Sequence, residues 1–591
     1  MLNQKLYKIF YEFAKLLEIN GVPFKPAAYE KVARAIEGLI EDVGEIYKKE
    51  GEEGIMKISG VGKGIAEKIV EYIKTGRIKD FEKLKKKLPF NVSELTAIEG
   101  VGPKLVKVFY DKLKIKNIAE LEKAAREGKL ARLPRFGEKL QGKILKGIEF
   151  RKKIGKRFLL GDVYELAKEI EKRLAGISGV KNVSAAGSFR RGKETVGDLD
   201  FLVALNPSAN SKDVMDYFIS MPEVEHIYGK GDTKSMTRFY NGLDADLRVV
   251  EEKSFGAALQ YFTGSKEHNV ALRKIAIEKG YKLNEYGVFE FLGGQTSKRR
   301  SDLRQIAGKK EDEVYKTLGL KFIPPELREN KGEIETALKN SLPELIKLQD
   351  IKGDLQMHSR WSDGAHTIRE MAEVAKKLGR EYIAMTDHTG ELRIANGMDE
   401  KTILNYMAEI DKINTELEGI KILKGVEVNI KKDGALDISD YVLAKLDIVL
   451  ASVHSNFKMP RQEMTERICR AMENPNVDII AHPTGRIISR REGYQIDFNE
   501  ILACAKRTDT VLEINTYPDR LDLNDAYIKK AVEAGVKLSL GTDSHSKNQL
   551  PNMKFGILQA RRGWCEKSDI INTLPFEKFI GLFRKPKNKR F

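Results

Sequence analysis

The stretch GSFRRGKETVGDLDFLVAL, residues 187–205, sets two carboxylates two positions apart at the head of an apolar run. Alternate residues of a strand share a face, so Asp198 and Asp200 point one way and Leu199 the other. Paired carboxylates at the end of a buried strand repel each other unless a cation lies between them. Mg²⁺ suits them: it takes oxygen ligands, keeps several waters and accepts the rest from phosphates. Asp246 in DADLRVV offers a third carboxylate on another strand-like run, and Asp244 has the same parity. Two ions so held lower the pKa of an attacking hydroxyl and steady a leaving phosphate. Upstream, Gly187 and Ser188 present a backbone N–H and a hydroxyl to phosphate oxygens. Arg191 adds a charge-assisted contact that strengthens as negative charge develops.

A second set lies in the C-terminal half, where six of the eight histidines follow residue 350. Seven strand-like runs, GDLQMHS, EYIAMTDH, ILKGVEV, IVLASVHS, VDIIAHP, TVLEINT and KLSLGTDSH, end in or near a metal-ligand residue type or a polar group. Helical segments such as TIREMAEVAKKLG alternate with them, which predicts a parallel β/α barrel with its chemistry at the strand C-termini. Candidate ligands are His358, Asp363, His388, Glu427, His454, His482, Asp543 and His545. Mixed imidazole and carboxylate suits Zn²⁺, Mn²⁺ or Fe²⁺ and argues against Ca²⁺. Eight ligands suit two or three ions, with Glu427 or Asp543 bridging, able to activate a water and clamp a phosphate ester. His366, at a helix start, is expected at the surface. Arg486, Arg490 and Arg491 after the His482 loop are candidates to hold a phosphate backbone.

The elements that must position these groups fall into units. Residues 1–157 read as short amphipathic helices with a recurring turn: ISGVGKGIAEKIVEYI, AIEGVGPKLVKVFYDKL and a degenerate LPRFGEKLQGKILKGI. A Gly-x-Gly turn ahead of a helix lets backbone N–H groups approach a phosphate without reading bases. Gly60, Gly62, Gly100 and Gly102 are the candidates. From about Phe158 the texture is mixed α/β, a Lys-rich helical segment runs to Gly319, and residues 320–350, with IPPELREN, read as a linker. The expected division is 1–85, 86–157, 158–252, 253–319, linker 320–350, barrel 351–575 and a frayed basic tail, 576–591. With 104 Lys+Arg against 87 Asp+Glu, the net charge of +17 favours a polyanionic partner. No apolar run reaches the roughly 20 residues of a membrane span, and the N-terminus is unlike a signal peptide. Three scattered cysteines exclude a Cys-based zinc finger and make a reducing cytoplasm the default.

GS-x-x-RG followed by D-x-D resembles the nucleotidyltransferase signature, and YFTGSKEHNVALR, residues 261–273, resembles the thumb of family X DNA polymerases. That resemblance implies an α-helical helix-hairpin-helix N-terminal region, an α+β nucleotidyltransferase palm and an α/β thumb. It further implies two Mg²⁺ or Mn²⁺ ions at Asp198, Asp200 and Asp246, favouring Asp246 over Asp244. Gly187, Ser188, Arg191, Gly197, Tyr261, Phe262, Gly264 and Asn269 would meet the nucleotide. Lys25, Arg248 and Arg273 would meet DNA, and the helix-hairpin-helix turns would hold a monovalent cation. Lys266 replaces an acidic residue of animal relatives. Lys68 stands where the family carries a Schiff-base lysine, with Lys25, Lys31 and Lys63 as cationic neighbours expected to lower its pKa. Gly64 replaces a phosphate-contacting lysine.

The histidine set resembles the polymerase-and-histidinol-phosphatase (PHP) domain, a (β/α)7-type barrel, which implies 3′→5′ exonuclease, abasic-site endonuclease and 3′-end cleaning. The usual His-x-His reads Gln356-Met357-His358 here, and a neutral amide is a poor ligand, so one metal position is expected to be weak or empty. The implied whole is a monomeric gap-filling repair polymerase acting on gapped or primed DNA and deoxynucleoside triphosphates. Two alternatives are a polymerase whose barrel merely braces DNA, and a small-molecule phosphatase tethered to DNA.

Overall fold

In the N-terminal region, three glycine turns repeat one hydrogen-bond scheme. The N–H of Val61 donates to the carbonyl of Ile58, Val101 to Ile98 and Phe136 to Leu133, at 3.0 Å each. The next glycine then caps a helix: Gly62 accepts from Ile65 and Ala66, Gly102 from Leu105 and Val106, Gly137 from Leu140 and Gln141. The third, degenerate copy therefore folds as the first two do, because the scheme needs only two apolar anchors and a small capping residue. Gly60 sits at φ +79, left-handed backbone that a Cβ disfavours. The helices run Lys63–Thr75, Pro103–Leu113 and Glu138–Ile154, over a core of Phe10, Val32, Ile69, Phe109 and Ile148. The computed structural model describes every residue except 1, 23–24, 38, 40–41, 59, 88–91, 97, 99–100, 135, 155–156, 292–302 and 391–394. The candidate Gly100 lies outside the described residues.

The palm is a five-stranded sheet, β1 (Val180–Ala185), β2 (Asp198–Leu205), β3 (Val224–Lys230), β4 (Lys234–Phe239) and β5 (Asp244–Glu251), in the order β1-β2-β5-β4-β3. Helices Leu160–Ala175 and Ser211–Ile219 cover one face. β2 and β5 are the parallel pair, and their inward residues Leu199, Ala245 and Leu247 are fully buried.

The thumb joins helices Phe255–Thr263 and Lys266–Glu278 to an antiparallel sheet of β6 (Tyr281–Asn284), β7 (Gly287–Phe291) and β8 (Leu303–Ala307). The segment expected as a linker, 320–350, is instead part of this unit: Leu320, Ile323, Leu327, Ile334, Ala337 and Leu345 are buried in its core. Arg328 is wholly buried, bonds Glu311 Oε1 at 2.5 Å and the Ile323 carbonyl at 2.9 Å, and lies over the rings of Tyr315 and Phe322. A buried charge with a hydrogen-bonded partner fixes a segment that has no periodicity of its own.

Each of the seven C-terminal runs becomes a parallel strand of one sheet: β9 (Gly353–Asp354), β10 (Tyr382–Met385), β11 (Lys421–Asn429), β12 (Ile448–Ser452), β13 (Ile479–Ile480), β14 (Val511–Asn515) and β15 (Leu538–Gly541). Hydrogen bonds Leu355 N–H to Leu540 O, Asp543 N–H to Gln356 O and His358 N–H to Ser544 O bring β9 back to β15. The tail, expected to be frayed, closes the other end of this barrel. Helix Phe576–Phe583 spaces aromatics at 576, 579 and 583, and Phe579 packs 4.8 Å from Tyr382. Lys587 donates to the Asn474 carbonyl, and Arg590 pairs with Asp478 at 2.5 Å. Among the described residues, no helix is long and apolar enough to cross a membrane.

Candidate active sites

In the palm, parallel pairing sets Asp198 opposite Asp244 and Asp200 opposite Asp246. Arg238 clamps Asp244 with two bonds of 2.7 and 3.0 Å, so this carboxylate is already neutralised. Asp246 instead faces Asp198 and Asp200, with Lys234 at 3.1 Å. Burial first, then Asp198 and Asp246, pushes the Asp200 carboxyl up to about 6; burial and Asp246 raise Asp198. Asp198 and Asp200, both raised with the Asp246 carboxylate beside them, fit a divalent cation, which would relieve the repulsion. Gly187, at φ +59, is needed because a Cβ there would stand 2.8 Å from Asp200 Oδ2.

A cleft of about 610 Å³ opens beside Asp198, reached by Ser188, Arg191, Lys193 and Arg157. Arg157 and Lys193 were not singled out from sequence. Arg157 bonds Thr195 through its side chain and carbonyl, and a Cβ at Gly197 would lie 3.3 Å from its guanidinium. Arg191 is held at the palm–thumb seam by Glu329 at 3.0 Å and the Thr263 carbonyl. In the thumb, Tyr261 and Phe262 meet edge to face at 5.2 Å, and Arg248 lies 4.6 Å over Phe262. Asn269 is buried; its amide donates to the Tyr261 carbonyl at 2.7 Å and accepts from Gln260 at 2.7 Å. Gly264 ends the first thumb helix at φ +70, Lys266 opens the next, and Arg273 donates to the Asn269 carbonyl.

In the barrel, the eight candidate ligands gather around Glu427, which is 1% exposed. Its oxygens lie 2.9 Å from His482 Nε2, 3.3 Å from His454 Nε2, 3.4 Å from His388 Nδ1 and 3.6 Å from His358 Nε2. Asp543 approaches His358 at 3.1 Å, and Asp363 approaches His545 at 3.3 Å. Ligand atoms fall within 4.8 Å of one another in three sets: His358, Asp363, His388, His545; His388, Glu427, His454; and His358, Glu427, Asp543. The Nδ1 atoms of His358, His388 and His482 are buried without a hydrogen-bond partner among the described residues. Rings of His358 and His388 stack at 4.4 Å, an arrangement that repels when both are protonated. Burial, with His358 beside it, drops His388 to about 3. Burial would raise Glu427, but His388, His454 and His482 hold it far below the usual range. Orphaned imidazole nitrogens and ionised carboxylates suit a divalent metal.

Gln356, wholly buried, donates its amide to Glu427 Oε2 at 3.1 Å. Supporting groups missed from sequence hold the ligands. Asp387 accepts from the backbone and hydroxyl of Ser359 and Ser362, which fixes the loop between His358 and Asp363. Asn429 meets His454 Nδ1 at 2.7 Å, and Asn515 and Arg520 approach Asp543 Oδ2 at 3.0 and 3.4 Å. Asp387 and Asn429 carried a signal, one and two residues from a candidate ligand at a strand end; Asn515 and Arg520 lie next to no candidate ligand in the chain. His366 is half-buried, not at the surface, and outside the three sets.

Two expectations are corrected. Lys68 was expected to have a lowered pKa. Burial does lower it, but Asp80, bonded at 2.6 Å, and Tyr29 together raise it above its ordinary value. Arg486 was a candidate phosphate contact; it is instead bound to Glu194 of the palm at 2.7 and 3.2 Å and to the Leu521 carbonyl. Arg491 lies 4.3 Å over Phe457, and Arg490 is exposed. Of the turn residues, Gly62 and Gly102 cap their helices with open space where a Cβ would stand, and Lys25 begins helix Lys25–Glu37. Lys31 packs against Gly60.

Five family models match: helix-hairpin-helix domain over 1–78, SAM-like helix-hairpin-helix tandem over 92–149, DNA polymerase beta palm over 161–242, DNA polymerase beta thumb over 258–329 and PHP domain over 354–517. The chain is 40% identical over 576 residues to the DNA polymerase/3′-5′ exonuclease PolX of Bacillus subtilis (strain 168), covering 97% of this chain and 98% of that protein. A probable phosphatase of Thermoanaerobacter sp. (strain X514) is 36% identical over 239 residues, 37% of this chain and 89% of that protein. One of Shewanella sediminis is 34% identical over 232 residues, 38% and 89%.

Proposed function

Since this chain belongs to the family X DNA polymerases that carry a PHP domain, we propose that it fills short gaps in damaged DNA and trims or unblocks 3′ ends in its barrel. The observation that carries the polymerase site is the pairing of Asp200 with Asp246, with Asp198 alongside and Asp244 already spent on Arg238. Two Mg²⁺ or Mn²⁺ in the palm would activate the primer hydroxyl and neutralise the triphosphate, and two Zn²⁺, Mn²⁺ or Fe²⁺ in the barrel would activate a water. Ser188, Arg157, Lys193 and Arg191 bind the triphosphate in the cleft, Arg191 sharing its guanidinium with Glu329. Tyr261 and Phe262 floor the sugar, leaving little room for a 2′-hydroxyl. Asn269, fixed by Gln260, presents its remaining edge to the base. Gly60, Gly62, Gly100 and Gly102 hold the DNA backbone with a monovalent cation; Lys25, Arg248 and Arg273 add contacts to the strands.

In the barrel, Glu427, His358 and His388 each belong to two of the ligand sets, and Asp387, Asn429 and Arg520 keep ligands from turning. Lys68 serves as lyase nucleophile only when it gives up a proton, which Asp80 opposes. The chain acts as a cytoplasmic monomer in this reading. A bracing barrel is the second reading, favoured by Gln356 in place of a histidine ligand. On a gapped duplex, Asp198→Ala, Asp200→Ala and Asp246→Asn should each abolish incorporation and spare degradation, while Asp244→Asn should keep incorporation within a few-fold. His388→Ala with His454→Ala should do the reverse. Loss of both activities from either set would overturn separate sites, and retained degradation in the histidine pair would favour bracing.

A further inference from the structure

Between the Glu138–Ile154 helix of the N-terminal half and two barrel loops lies a groove of about 1260 Å³. The two sites described above do not use it. Its helix wall presents Lys139, Lys143 and Lys146, spaced three and four residues apart on one face. The barrel wall is the loop after His454, with Phe457 and Lys458, and the loop after His482, with Arg491 and Tyr494. Phe457 and Tyr494 stack at 6.2 Å with a 16° tilt, and Arg491 caps Phe457. Five cations face three carboxylates, Glu138, Glu149 and Glu492, across this groove. The sum favours a polyanion; Tyr494 is buried against Phe457, so half-buried Phe457 and the Arg491 guanidinium over it are the planar groups that any base can stack on without sequence choice. Both barrel loops follow candidate metal ligands in the chain, His454 and His482, which ties this wall of the groove to the strand ends that carry the cluster.

We infer that this groove is the channel for the unpaired 3′-terminal strand of DNA on its way to the barrel, and that the Glu138–Ile154 helix serves the nuclease as its outer wall. The inference rests on the nuclease reading of the barrel. A duplex is not the occupant: stacked bases inside a helix offer no free face to Phe457, whereas an unpaired end does. Helix lysines grip phosphates of the incoming strand, and Phe457 with Arg491 over it holds a base on the barrel wall. A third glycine turn thus leads into a helix whose lysine face looks towards hydrolysis.

The test uses the full chain in EDTA with a short 5′-fluorescein oligothymidylate, read by anisotropy against salt. Replacing Lys143 and Lys146 with Ala removes two phosphate contacts, so the log–log salt slope should shrink by about 1.4. Replacing Phe457 with Ala should weaken binding roughly tenfold while leaving the slope unchanged, since stacking carries no charge. With Mn²⁺ present, degradation of the same strand by the lysine variant should show a raised KM, and Lys→Arg at both positions should restore it. Unchanged slope and unchanged KM in the lysine variant would overturn the channel, as would equal weakening on a blunt duplex without a single-stranded end. A wild-type chain that binds the strand but hydrolyses neither it nor a p-nitrophenyl ester of thymidine monophosphate would sink the nuclease reading instead. The anisotropy result judges the groove in either case.

Discussion

Replacing Asp80 with Asn should make Lys68 a faster nucleophile. The Lys68 ammonium bonds Asp80 at 2.6 Å, and the Asp80 side chain is 64% exposed, so a water-like dielectric applies to the pair. Coulomb's law at that distance and a dielectric of about 80 gives about 1.6 kcal/mol in favour of the ammonium, roughly a tenfold bias against the free amine. Without Asp80, burial of Lys68 acts with less opposition. The neutral fraction at a fixed pH below the pKa then rises about tenfold. The free amine attacks the aldehyde carbon of an abasic sugar and expels water to form an imine, so borohydride trapping on abasic DNA should accelerate by up to about the same factor. The pH–rate profile should keep its rising slope and shift to lower pH. Lys68→Ala should give no trapped product. Fold loss is not expected, because an exposed pair contributes about 0–1 kcal/mol. A trapping rate equal to wild type would refute the electrostatic reasoning, and a fall would mean that Asp80 itself removes the lysine proton.

Two more tests address the thumb and the barrel. Burial alone would raise Glu311, but Arg328 and Arg190 bring it down to about 2. Its contribution to stability is therefore complete above its ordinary value near 4.5 and fades as pH falls towards about 2; Glu311→Gln should lose that acid sensitivity. Glu311→Ala, which leaves Arg328 buried without its carboxylate, should cost about 3–5 kcal/mol in denaturant titration. Gln356→His should raise bound metal per chain by one ion in elemental analysis, because an imidazole would replace the amide that now donates to Glu427 and supply a ligand nitrogen; an unchanged count would show that the third position is closed for another reason.

The alternation in DLDFLVAL was enough to place two carboxylates on one face, and the strand-end pattern was enough to pick out eight candidate ligands that the fold brings near one another. Both follow from local periodicity, which one strand carries in full. Asp244 and Asp246 share that periodicity; what distinguishes them is the strand across the β4–β5 pair, where Arg238 grips Asp244 with two bonds while Asp246 has one contact from Lys234 and acts on Asp198 and Asp200. The sign of the Lys68 shift depends on Asp80, 12 residues on, and the engagement of Arg486 on Glu194, 292 residues away. Long-range pairs of this kind leave no spacing to read. Residues 320–350 misled because their apolar residues follow no period and are ordered by Arg328 bonding Glu311. The tail misled because its charge was easier to see than the aromatic spacing of Phe576, Phe579 and Phe583.

The guanidinium of Arg562 has a consequence for how such a chain can be reshuffled. Set on the barrel and 2% exposed, it bonds the Arg191 carbonyl of the palm and Glu329 beside the thumb at 3.0 Å each, and Asp525 at 2.5 Å. A foreign barrel without this arginine would leave the Arg191 carbonyl without its donor and Glu329 to Arg191 and Lys193 alone, at a cost of about 1.5–3 kcal/mol for the lost charge-assisted bonds. Grafting one catalytic half onto another scaffold therefore has to rebuild this seam as well as the reaction centre it carries. Recombination that respects the fold has to carry all three parts as a single cassette.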